Sequence, residues 1–63
     1  MCEGTAYLVE GPRETLLMRE VMFLLLRDGK LVLVGEEGDE RTLEGVKELR
    51  IDMLRHEIRV STG

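Results

Sequence analysis

The chain has 63 residues, nine Lys and Arg against thirteen Asp and Glu, a net charge of −4 and a single Cys. That is one domain with one modest core, since a chain so short buries only about 60% of the surface its unfolded form exposes. An internal disulfide is excluded, so a metal, a partner subunit or both are expected to supplement the core. An acidic balance disfavours a phosphate backbone, and two aromatics, Tyr7 and Phe23, are too few for a base-stacking platform.

Thr5 to Glu10 is short and rich in β-branched and aromatic residues, which predicts a strand. Alternation would put Cys2, Ala6 and Leu8 on one face. Gly11-Pro12 marks a turn. The stretch Thr15 to Leu26 reads two ways. Pro12 and Glu14 resemble a helix start and its Leu and Met residues favour helix, so a short helix at Arg13 to Glu20 competes with a strand.

Asp28-Gly29 lies between Val21-Met22-Phe23-Leu24-Leu25-Leu26-Arg27 and Lys30-Leu31-Val32-Leu33-Val34. This is a strong two-residue hairpin signal and predicts a β-hairpin over at least Met22 to Val34. Both arms are apolar at odd and even positions, whereas a half-buried strand alternates with polar residues. The second face is therefore expected to meet another subunit.

Gly35 to Glu40 reads as a polar loop, Arg41 to Glu44 as a short strand, and Gly45 as a bend. Glu48 to Met53 alternates charged and apolar residues, and Ile58 and Val60 resume the alternation after a turn near Leu54 to His56. The expected fold is all-β: five to six short strands curled into a small partly open barrel of the SH3-like or Sm-like kind, one domain over residues 1–63. The longest apolar run, Val21 to Leu26, is far below the ~20 residues of a membrane span. With a lone thiol, a cytoplasmic location is the expectation.

Chemistry concentrates at Cys2. Cysteine is small enough for removal of the initiator Met1 to be plausible, which would leave an amine, a thiolate and backbone nitrogens in one segment. Such a donor set suits Ni(II) or Cu(II) better than a hard cation. One chain supplies about half of a four-coordinate site, and a two-fold axis would supply the rest through a second Cys2. The competing reading is a small buried hydrophobe beside Ala6 and Leu8.

Other candidates have simpler readings. His56 could ligate a metal or titrate near neutrality, but a turn residue needs neither role. Glu36, Glu37, Asp39 and Glu40 lack the repeated oxygen spacing of a calcium loop. Met18, Met22 and Met53 are expected in the core. Lys47, Arg50, Arg55 and Arg59 could form a local basic patch for RNA, which is the alternative function. No nucleophile and base pair and no phosphate loop is present, so no enzyme is expected.

Met1-Cys2-Glu3 leading into Ala6-Tyr7-Leu8-Val9, then Leu31-Val32, Glu44-Gly45 and Ile51-Asp52-Met53-Leu54-Arg55-His56-Glu57-Ile58, resembles the CooT family of small nickel-binding proteins. The resemblance spans nearly the whole chain. It implies a dimeric small β-barrel that holds Ni(II) between subunits through the N-terminal cysteine, and only Cys2 inherits that ligand role. It also implies a link to carbon monoxide dehydrogenase as a nickel-enzyme client. Proteins of this group are often labelled predicted RNA-binding, a label that rests on fold analogy and that the acidic balance opposes.

Overall fold

The computed structural model describes residues 3–63. Six strands form one sheet in the order β4-β3-β2-β1-β6-β5, and no helix occurs among the described residues. The strands are β1 (Gly4–Glu10), β2 (Arg13–Arg27), β3 (Lys30–Gly35), β4 (Glu40–Leu43), β5 (Glu48–Asp52) and β6 (Glu57–Ser61).

The helix alternative at Arg13 to Glu20 is overturned, because that stretch is the first half of the 15-residue strand β2. Its pairing explains why. Arg13 to Val21 bind along β1, and Val21 to Arg27 bind along β3, so one continuous strand serves two antiparallel ladders. Tertiary hydrogen bonding outweighs the helix preference of Leu and Met, because intrinsic propensity is only a weak determinant.

Such a strand must bend, and the register shows where. Ladder shifts fall between Gly4 and Ala6, between Ala6 and Tyr7, and between Val21 and Phe23, with Glu20 at φ 56° among them. Bulges of this kind increase local twist and coil a sheet. They also explain why the adjacent residues Leu17 and Met18 are both buried, which a regular strand forbids.

The Asp28-Gly29 turn has positive φ at both residues, 51° and 76°, the backbone a two-residue hairpin with right-handed twist requires. Asp52 stabilises the other closing turn. Its Oδ1 accepts hydrogen bonds from Leu54 N and Arg55 N, each 3.0 Å long.

Curling of the sheet follows from chain connectivity. β4 and β5 are consecutive in sequence yet lie at opposite edges. A flat six-stranded sheet would separate its edges by about 24 Å, while the linker between Leu43 and Glu48 spans about 17 Å at most. Val46 N donates to Gly29 O at 2.8 Å and Lys47 N to Ser61 O at 2.7 Å, tying the linker over one end. The result agrees with a small partly open barrel.

Ala6, Leu17, Met18, Val21, Leu31, Leu33, Ile58 and Val60 form the core, with Leu8, Leu24, Leu43, Val46 and Leu49 packed against it. Met22 and Met53, expected inside, are 57% and 77% exposed. Met22 is the residue displaced by the bulge after Val21, and Met53 sits in the β5–β6 turn.

Candidate functional site

The sequence places the candidate ligand Cys2 two residues before Gly4, and Cys2 itself lies outside the described residues. Its anchor is well defined. Gly4 is buried and pairs with Val21 at the middle of β2. A Cβ on Gly4 would lie 3.2 Å from Ile58 Cδ1 and 3.3 Å from His56 O, so a side chain there would crowd two neighbouring elements. The next residue, Thr5, donates its N–H to His56 O at 2.9 Å. The start of β1 is thus clamped between β2 and the β5–β6 turn.

Met22 and Phe23, which follow Val21 in β2, are 57% and 58% exposed.

Carboxylates surround the same end of the barrel. Glu36 N donates to Glu20 O at 3.0 Å, joining the loop after β3 to the bulge in β2. The Glu36 carboxyl is held above its ordinary value, first by the charge of Glu20, then by desolvation, by Glu3, by its hydrogen bond to Glu20 and by Glu37. Proton uptake relieves this like-charge crowding. The sequence singled out Glu36 and Glu37, but Glu3 and Glu20 join them only because β1 and the bulge converge there.

The remaining candidates separate. His56 lies in the β5–β6 turn with φ 57° and acts there through its carbonyl. Among the described residues, no group of three or more His, Cys, Asp or Glu side chains is arranged to hold a metal ion.

The proposed basic patch is interleaved with acid. Arg59 Nε donates to Glu14 Oε2 at 2.7 Å and Arg59 Nη1 to Glu57 Oε1 at 2.8 Å, with the guanidinium 5.1 Å from the Tyr7 ring centroid. Arg50, its cross-strand partner, is 3.5 Å from Glu48. Hydrogen bonding by Glu14, then by Glu57, holds Arg59 more firmly protonated than usual.

An open cleft of about 540 Å³ is lined by Glu3, Thr5, Tyr7, Leu16, Arg19 and Glu20. It contains no nucleophile beside a base. Among the described residues no helix is long and apolar enough to cross a membrane.

A family model described as "CO dehydrogenase accessory protein CooT" matches residues 1–61. A crystal structure assigned to CooT from Carboxydothermus hydrogenoformans superposes with a TM-score of 0.85 at 26% sequence identity, covering 98% of each chain. No curated protein sequence matches significantly.

Proposed function

We propose a nickel-handling role from the premise that this chain belongs to the CooT family of CO dehydrogenase accessory proteins. In this reading the protein binds Ni(II) through Cys2 as cargo for a nickel enzyme, and two copies share the ion at a two-fold axis. The observation that carries it is the anchoring of Gly4, two residues after Cys2 in the sequence, against Val21 of β2.

The donor chemistry supports the same reading. A thiolate with nitrogen donors favours a square plane and a soft or borderline divalent ion, which carboxylates alone do not. Glu3, Glu20 and Glu36 stand close by and add negative potential, which draws a cation toward this end. A second copy brings a second thiolate without any further motif in the sequence.

Delivery suits an open rather than enclosed ligand set, because cargo has to leave. The RNA-binding alternative is weakened by Arg50 and Arg59, whose guanidinium groups already face Glu48, Glu14 and Glu57.

Absorption spectroscopy during Ni(II) titration tests the proposal. The wild-type protein should develop a thiolate-to-nickel charge-transfer band that saturates, and Cys2→Ser should not. An equally strong, saturable band in Cys2→Ser would refute Cys2 as the ligand.

A further inference from the structure

We infer that the β5–β6 turn, through Met53, Leu54 and Arg55, is the surface by which this protein docks on its nickel-enzyme client, seating in an apolar pocket rimmed by carboxylates. The identity of the client rests on the reading above, but the turn itself involves no metal.

Turn chemistry does not explain these residues. Asp52 makes the turn, its Oδ1 accepting the N–H groups of Leu54 and Arg55, and His56 completes it with φ 57°. Such a turn asks nothing apolar of the positions between, where polar side chains are usual. Met53 and Leu54 stand there nevertheless, and Leu54, 90% exposed, is the most exposed large hydrophobic residue of those described. Ile51, on the edge strand β5, is half-exposed as well. All the other exposed large hydrophobics lie on β2, with β1 between it and β6 in the sheet.

The backbone of the turn is already fixed. His56 O accepts the N–H of Thr5 at 2.9 Å, which ties the turn to the start of β1. A tip held in this way loses little further freedom on docking and suits a preformed pocket.

Charge sets the rim of that pocket. Asp52 is turned back onto the backbone, and Glu57 is held by Arg59 at 2.8 Å. Arg55 is in no ion pair among the described residues, so its guanidinium is the charge presented next to Leu54 in a chain of net charge −4. Met and Arg are residue types that protein interfaces enrich, and a guanidinium calls for carboxylates on the opposing surface. A second copy offers no such seat, because its own clefts are lined with charged side chains, Glu3, Arg19 and Glu20 in one and Asp28, Lys30 and Glu44 in another. The acidic total opposes an anionic bilayer.

Biolayer interferometry of the Ni(II)-loaded protein against purified, nickel-deficient CO dehydrogenase tests the inference. Wild type should bind saturably, and Leu54→Asp and Arg55→Glu should each weaken binding by about ten-fold or more. Both variants should keep the wild-type circular dichroism, sedimentation and thiolate-to-nickel band. Arg13→Glu, the same change of charge at the opposite end of the β1–β2 ladder, should bind as wild type does. A wild type that does not bind, or Leu54→Asp and Arg55→Glu as tight as wild type, would overturn the docking surface. So would loss of the dimer in Leu54→Asp, or wild-type binding to phosphatidylglycerol vesicles that Leu54→Asp abolishes. Leu54-dependent docking by a protein that takes up no Ni(II) would uphold this surface and count against the nickel reading alone.

Discussion

Arg59 and Glu14 form a 2.7 Å ion pair although they lie on β6 and β2, strands that are not neighbours in the sheet. Tyr7 of the intervening β1 lies beneath the guanidinium, and Glu57 closes the set from β6. One arginine thereby links three strands, including the parallel β1–β6 pair.

Arg59→Ala should lower the melting temperature measurably, because it removes two ion pairs and a cation–π contact together. Arg50→Ala should leave it nearly unchanged, since the Arg50–Glu48 pair is 3.5 Å long with side chains 73% and 60% exposed. Thermal unfolding followed by circular dichroism compares the two, and equal effects would show that the three-strand link contributes nothing special.

The pH dependence of this link has a definite sign. Its hydrogen bond to Arg59 holds the Glu14 carboxyl below its ordinary value of 4.5. A depressed folded-state value means that the contribution is complete above pH 4.5 and fades as pH falls through the lower folded value. Acid titration of stability should accordingly show a shallower loss in Glu14→Gln than in wild type. Parallel acid limbs would contradict this.

The turn between β2 and β3 should be sensitive to one methyl group. Gly29 has φ 76°, so Gly29→Ala places a Cβ in the left-handed region and should cost about 1 kcal/mol in denaturant unfolding. No loss of stability would mean that the turn relaxes to another type.

Core truncation should be far more severe. Leu33 is fully buried, and Leu33→Ala should cost about 2–5 kcal/mol. In a domain of this size that is a large share of total stability, typically about 5–15 kcal/mol for globular proteins, and urea unfolding should show a markedly lower midpoint. An unchanged midpoint would mean that the core is not where the burial pattern puts it.

The parts of this fold that local chemistry dictates are legible in the sequence. Asp28-Gly29 specifies a turn through the two positive φ angles it tolerates, and alternation around Ile51, Ile58 and Val60 marks the closing hairpin. β4 is displaced by one residue from the expected Arg41–Glu44, a small error at an element end. What sequence could not reveal is set by distant pairing. The union of Arg13–Glu20 with the hairpin arm into one strand depends on β1 and β3 binding its two halves. The approach of Glu3, Glu20 and Glu36 depends on bulges that leave no signature in residue type. Exposure of Met22 and Met53 has the same origin, since apolar character announces burial but not the bulge or turn that prevents it. Cys2 stood out because it is the only thiol, a property no fold is needed to see.

The central claim is that two copies of Cys2 share one nickel ion, and native mass spectrometry of the protein loaded with Ni(II) tests it most directly. A complex of two chains with one ion is the expected species, and Cys2→Ser should give dimers free of nickel. One ion per monomer, or nickel-loaded dimers that persist in Cys2→Ser, would contradict the account.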